Sequence, residues 1–570
     1  MKRRDFILTT GTGSAIIASG NLCAFPEAPA NENSTAKFCY QSERKIPVPY
    51  TVDVVIVGGS TAAVAAAVSA SQSGAKVFLV AQETYLGEDV CGTYRYWNIH
   101  KDALSASLGK KLFGNGLPVP LKFKQTLDNE LINNKIEFLF SSYVTDLLTD
   151  AQGNPAGVVI ANRSGRQAIK AKIIIDATPR AMVSPLTSAS FTPYPAGKQN
   201  FRFIVLGNNE KKLANGSSQL MPQPVVVKEK EYKAIEYSLD IEMKDGSYES
   251  FAKAEQIARD LTWDPNQVES GDLLFQVPPD HIIGKSSYDK TESNIEEIPL
   301  TAFQPQKVSR IFLLNGMADV SRTIVSDLLQ PGGMIRIGER IGKEAANMAS
   351  ATMLSNSVKI KGNRHSNSVK GDVGELLAGI RPSLSQGTIL SEATTLPVLG
   401  RYDVVVMGGG TAGAPATVGA ARHGAKTMVV EYLHGLGGIG TLGMVGRYYH
   451  GYKKGYTNEV DRGVKAIGEG NVRQKNRLDE WVFDWKTEYF RREIRNAGGE
   501  IWFGVLGCGA YIDKGKVKGV IVATPFGKGV ILAHTVIDSS GSSDIAIAAG
   551  AGYVYTDGNS VAVQGAGMPF

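Results

Sequence analysis

The residues with the clearest chemical potential are glycines. Gly408, Gly410 and Gly413 form a G-x-G-x-x-G spacing directly after the apolar run Val404–Met407 and directly before a small-residue stretch. A strand feeding such a turn into a helix leaves backbone amides unpaired at the helix start, where they can hold a diphosphate. Glu431 lies 23 residues past Gly408, at the end of the next apolar run, where a carboxylate can accept hydrogen bonds from a ribose. A loop after that acid must approach the diphosphate closely, and Gly437, Gly438 and Thr441 stand there. The expected contacts to a dinucleotide are therefore Gly408, Gly410, Thr411, Gly413, Glu431, Gly437, Gly438 and Thr441. The fingerprint does not separate FAD from NAD(P).

Arg447-Tyr448-Tyr449-His450 follows the glycine loop. His450 is a candidate general base on a substrate hydroxyl, with Tyr449 as a hydrogen-bond donor. The alternative is an aromatic strand carrying one packed histidine. Cys23, Cys39, Cys91 and Cys508 sit far apart, so no segment holds a CxxC metal or iron–sulfur motif. Cys91 has no resolving partner nearby and reads as a small buried residue. The remaining histidines show no metal-ligand spacing, and no GxSxG elbow is present.

The elements that position the glycine turn occur twice. Asp53–Cys91 and Asp403–Thr441 align without a gap, with 16 of 39 positions identical. Each copy has a buried-strand run, a glycine turn, a small-residue helix and a second apolar run, which predicts a β-α-β unit with a parallel sheet. In the first copy Gly58 and Gly59 are kept, but Ser60, Ala63 and Ala81 replace the second glycine, the third glycine and the acid. That turn is expected to bind a dinucleotide less tightly. The likeness resumes at Gly157–Ala161 with Gly519–Ala523 and at Ile175–Thr178 with Ile537–Ser540. The comparable aromatic stretch of the first copy, Tyr94–Trp97, carries no histidine, which favours a packing role there.

The fold class expected is α/β, with two tandem Rossmann-like FAD/NAD(P)-binding domains of glutathione-reductase type. Residues 51–185 and 310–354 make the first domain, and 186–309 form an inserted mixed-sheet cap. Residues 31–50 and 355–400 read as linkers. Residues 401–570 make the second domain, which has no counterpart of the closing segment Ile311–Ala349 and reads as incomplete at its C-terminus. A second chain that completes it is one expected partner. Residues 1–30 carry a paired Arg3-Arg4, a dilute apolar stretch and Ala28-Pro29-Ala30, resembling a twin-arginine export signal. This predicts a periplasmic or secreted protein without a stable membrane span.

The composition agrees with a globular chain: 43% hydrophobic and 20% charged residues in 570 exclude a disordered or collagen-like one. Sixty-one basic against 55 acidic residues, with no basic block, argue against a nucleic-acid partner.

The two glycine-rich segments, DVVIVGGSTAAVAAAVSA…YLGEDVCGT and DVVVMGGGTAGAPATVGAARHGAKTMVVEYLHGLGGIGTLG, resemble the bacterial FAD-dependent oxidoreductase family related to the flavoprotein subunit of heterodisulfide reductase. The resemblance covers roughly residues 50–185, 310–350 and 400–550. It implies FAD as cofactor and an oxidoreductase moving hydride from a small polar, carbohydrate-derived substrate to flavin, with an electron acceptor the residues do not identify. A partner-dependent electron relay and a non-catalytic remnant are the alternatives.

Overall fold

The computed structural model describes residues 36–554, apart from 208, 228–229, 291–293, 356, 379–385, 449–451, 472 and 474–479. Two large mixed sheets dominate it. In the first, the strand Tyr50–Val57 sits centrally. Val77–Val80 and then Glu137–Leu139 lie parallel on one side, and the long strand Gly165–Asp176 lies parallel on the other. That long strand continues into an antiparallel meander with Pro155–Asn162 and Tyr143–Asp150. The short strand Ile311–Leu313 adds to its free edge, again parallel.

The helix Thr61–Gln72 crosses between Tyr50–Val57 and Val77–Val80. Its small residues have a packing reason. The helix Ile335–Ser350 lies against it so closely that a Cβ on Gly338 or Gly342 would sit 2.4 or 2.3 Å from the carbonyl oxygens of Ala62 and Ala66. Only glycine fits such backbone contact.

The second sheet repeats this order. Thr394–Met407 is central, Thr427–Val430 and Glu500–Trp502 lie parallel to one side, and Gly527–Asp538 lies parallel to the other. Lys516–Thr524 and Leu506–Asp513 complete its meander. Among the described residues no strand takes the place that Ile311–Leu313 fills in the first sheet. His534 and Thr535 on that side are exposed.

Residues 197–270 of the cap form a four-stranded antiparallel sheet backed by the helix Tyr248–Thr262. The helix buries Ala252, Ala254 and Ala258. It also leans on the second unit, where the buried Arg491 guanidinium pairs with Asp260 at 2.7 Å.

The described parts of the segments read as linkers contain short strands. Phe38–Gln41 pairs with Thr394–Pro397 and with Ser368–Val369, Arg44–Pro47 pairs with Thr388–Ser391, and Asp372–Gly374 joins the edge of the second sheet. Their polar composition hides this, because short edge strands take their pairing from distant partners rather than from local pattern. A buried charge cluster fastens them. Arg166 of the first unit bonds Asp146 at 2.5 Å and Glu375 at 2.9 Å, Arg44 bonds Glu375 at 2.6 Å, and Lys528 of the second unit reaches Asp146 at 3.2 Å. The Arg166 side chain is 1% exposed. Removing one member of such a cluster leaves charges buried without a partner, so Arg166→Ala is expected to destabilise the chain by about 3–5 kcal/mol, read as a fall in the urea midpoint. An unchanged midpoint would show that the cluster does not hold the two units together.

Candidate functional site

The second glycine turn is built by backbone demands that side chains could not meet. Gly408 has φ +95°, and a Cβ there would lie 2.4 Å from the Ser539 carbonyl oxygen. A Cβ on Gly413 would lie 1.8 Å from the Gly408 carbonyl oxygen. Gly410 is different: nothing lies within 4 Å of its Cβ position, so its freedom serves an approach from outside. The helix Gly413–Arg422 has no side-chain cap at its start. Among the described residues the amides of Gly410, Thr411 and Ala412 donate to no protein group.

These amides open on a cavity of about 590 Å³. Gly408, Gly410, Thr411, Glu431 and Gly438 line it, together with the Ser539–Gly541 turn at the end of the long strand. Glu431 is buried, and burial holds its carboxyl above the ordinary value. One oxygen accepts from the Gly409 amide at 2.7 Å and the other from the Leu433 amide at 3.0 Å. A carboxylate has about four acceptor sites, so lone pairs remain for a ribose. Gly437, at φ +96°, donates its amide to the Gly409 carbonyl at 2.8 Å and shapes the loop from behind. Thr411 ties its hydroxyl to the Gly437 carbonyl at 3.2 Å. The Thr441 hydroxyl donates to the Leu436 carbonyl at 2.6 Å; it holds the loop rather than facing the cavity.

His450 and Tyr449, the candidate base and donor, lie outside the described residues, as does the export-signal segment. The described cysteines Cys39, Cys91 and Cys508 are buried, and burial pushes each thiol up to about 12. None of them is a thiolate at neutral pH.

Gly58 and Gly59 form a second turn of the same shape in the first unit. Gly58 has φ +116°, with a Cβ position 2.6 Å from the Ala177 carbonyl. There the Gly59 amide donates to Glu88 at 3.2 Å. The missing strand-end acid, Ala81, is thus replaced by a carboxyl from the following loop.

Two residues near the second cavity carry no sequence signal. Arg163 comes from the hairpin of the first unit. It lines the cavity, donating to the Ser540 carbonyl at 3.2 Å and the Ser542 hydroxyl at 2.6 Å, with Asp544 at 3.2 Å. His434, three residues past Glu431, lies between Glu83 at 3.6 Å and Glu255 at 3.5 Å. Burial disfavours its cation, but the two carboxylates outweigh burial and raise its pKa well above the usual imidazole value. The charged ring pins the ribose-side loop to the first unit and to the cap at once. Arg163→Ala is expected to weaken binding of an adenine dinucleotide about 5- to 10-fold at low salt, with a smaller effect at high salt, because a half-exposed cation at a diphosphate is screened. Titrations at two ionic strengths read this directly.

An α/β fold with mixed sheets, and a glycine turn whose free amides face an open cavity, define a dinucleotide-binding class of protein. The model of the FAD dependent oxidoreductase family matches residues 53–201 and 403–567, together more than half of the chain. The chain belongs to that family. It is an FAD-dependent oxidoreductase, and its cofactor is FAD. Among curated proteins none matches the chain in sequence. Among solved structures it is similar to the flavin-dependent brominase Bmp2, with 12% identity, 54% of this chain and 81% of that one covered, and TM-score 0.36. It is also similar to a geranylgeranyl bacteriochlorophyll reductase-like protein from Thermoplasma acidophilum, with 13% identity, 54% and 81% covered, and TM-score 0.34. A third is the myxobacterial chondrochloren halogenase CndH, with 14% identity, 51% and 72% covered, and TM-score 0.32.

Proposed function

We propose that the chain is an exported flavoprotein, of the branch related to the heterodisulfide reductase flavoprotein, that oxidises a small polar, carbohydrate-derived substrate with FAD held in the second unit. The observation that carries the placement is the turn at Gly408–Gly413, where unpaired amides face a cavity of about 590 Å³. FAD supplies the hydride chemistry when bound. The chain's own groups position it. The Gly410 and Thr411 amides would donate to the diphosphate oxygens, Glu431 would orient the ribose, and Gly438 leaves the following loop without a side chain in the way. His450 remains the proposed proton acceptor from a substrate hydroxyl, with Tyr449 as the proposed hydrogen-bond donor. Among the described residues no helix is long and apolar enough to cross a membrane, in keeping with a substrate met in water.

The test is anaerobic mixing of the yellow full-length protein with a panel of aldoses, uronates and sugar alcohols. Bleaching of the visible band by one class supports the reading, and no bleaching by any member counts against a carbohydrate substrate. One feature favours a partner-dependent relay as the second reading. Thr535–Asp538 of the long strand is unpaired among the described residues on the edge that Lys516–Thr524 covers only as far as Leu532, so a second chain can add a strand there. Turnover only in the presence of a second polypeptide would select it.

A further inference from the structure

The two glycine turns of this chain are an internal comparison, and they differ in what meets their amides. In the second unit Gly437-Gly438 leads the loop back to the turn. Gly438 comes so near that its Cβ position lies 2.9 Å from Gly410 Cα. The same alignment places Gly87-Glu88-Asp89 opposite Gly437-Gly438-Ile439. In the first unit these two acids begin a short helical turn, Glu88–Gly92, that faces the start of the helix Thr61–Gln72. Glu88 is 1% exposed, and its Oε1 accepts the Gly59 amide at 3.2 Å. Asp89 accepts from the Thr61 amide at 2.8 Å on one oxygen and from the Thr61 hydroxyl at 2.6 Å on the other. The Ser60 hydroxyl accepts the Ala63 amide at 3.1 Å. The Gly59 contact has its counterpart in Gly409 with Glu431, whereas the Thr61 amide, satisfied by Asp89, stands opposite the free Thr411 amide.

The space left above this turn is about 120 Å³, against about 590 Å³ in the second unit. It is walled by Glu88 and Asp89 below, by Leu273–Gln276 of the cap and by Leu328–Gly332 of the closing segment. A pocket for even a drug-sized ligand needs roughly 300 Å³ or more, and a dinucleotide is larger still. A diphosphate entering here would displace the buried Asp89 carboxyl from the Thr61 amide and hydroxyl and bring its own charge against buried acids in a low-dielectric setting.

We infer that the chain binds a single FAD, in the second unit, and that Asp89, on the Thr61 amide and hydroxyl, closes the first unit's turn as a permanent internal substitute for the diphosphate, with Glu88 walling the narrowed space beside it. The first unit is then retained for what it contributes to its neighbour: Arg163 at the mouth of the second cavity, Glu83 against His434, and the cap. The inference rests on the proposed placement of FAD at Gly408–Gly413 and adds a stoichiometry to it.

The experiment measures FAD retained per chain after reconstitution of the full-length protein with excess FAD and desalting. It covers the wild type, Gly410→Asp and Ser60→Asp. Gly410 has open space at its Cβ position, so the backbone tolerates the change while the new carboxylate occupies the diphosphate place. Asp is as good a helix cap as Ser, so Ser60→Asp keeps the first helix start and puts an acid at the equivalent point of the first turn. One equivalent in the wild type, lost in Gly410→Asp and kept in Ser60→Asp, is the expected result. Two equivalents in the wild type would overturn the closure of the first turn while leaving the second site standing. One equivalent that survives Gly410→Asp and disappears in Ser60→Asp would overturn both the closure and the proposed placement. Where Ser60→Asp fails to fold, the single wild-type equivalent and its loss in Gly410→Asp still separate these outcomes.

Discussion

Glu88→Gln is expected to stabilise the protein above about pH 8 and to leave it nearly unchanged at about pH 4. Burial, with Glu83 and Asp89 adding repulsion, pushes the Glu88 carboxyl up to about 8. In the unfolded chain the same group loses its proton near its ordinary value of 4.5. Between those values the folded state holds a proton that the unfolded state has released, so folding takes up a proton and stability falls as pH rises. Below pH 4.5 both states are protonated and the group contributes no penalty. Above about 8 the full penalty is present. At about 1.4 kcal/mol for each pH unit, the ceiling is about 5 kcal/mol. Glutamine keeps the oxygen that accepts the Gly59 amide and cannot ionise, so it removes the penalty without opening the turn. Burial raises the neighbouring Asp89 carboxyl as well, which gives a slope of the same sign, so the variant should reduce the pH dependence rather than abolish it. Urea midpoints at about pH 4 and about pH 8.5, on either side of that window, measure this. An equal drop in wild type and variant would show that Glu88 is not the buried neutral acid described.

Gly438→Val should leave a folded protein that no longer retains flavin. Gly438 has φ +56°, and its Cβ position lies 2.9 Å from Gly410 Cα and 3.1 Å from the Thr411 amide nitrogen. A β-branched residue is strongly disfavoured at such a φ, and its methyl groups would enter the space between the loop and the free amides. The loop must then move off the turn or fill it. Either outcome removes the closest approach to the diphosphate, and a loss on the order of 100-fold in FAD affinity is expected from displaced charge-assisted hydrogen bonds. Far-ultraviolet dichroism should be unchanged, because the residue lies on the cavity wall and not in a sheet. Affinity close to that of the wild type would mean that the diphosphate does not lie against this loop.

The part of the site that sequence reveals is the part that glycine alone can build. Gly408 and Gly413 are fixed by a positive φ and by backbone contact, and such demands leave a residue-type trace. Glu431 is visible because it ends a strand at the expected distance from the turn. Glu88 left a trace too, as an acid standing opposite Gly438, but a sequence carries no direction for its side chain. The absent acid at Ala81 suggested a weakened turn, whereas the chain had moved the carboxyl to the next loop and filled the turn with it. Arg163 and Glu83 could not be anticipated, since they reach the second site from the first unit and nothing local marks them. Nor could the strands at 38–47 and 358–391, whose pairing depends on buried charges contributed by both units.

The most direct measurement is the mass of whatever small molecule the intact, full-length protein retains after reconstitution with a mixture of FAD and NAD(P), released by denaturation and compared between wild type and Gly438→Val. FAD from the wild type and none from the variant is the predicted result. A wild-type protein that retains no dinucleotide, or a variant that retains FAD as well as the wild type does, would contradict the placement of the cofactor on the free amides at Gly408–Gly413.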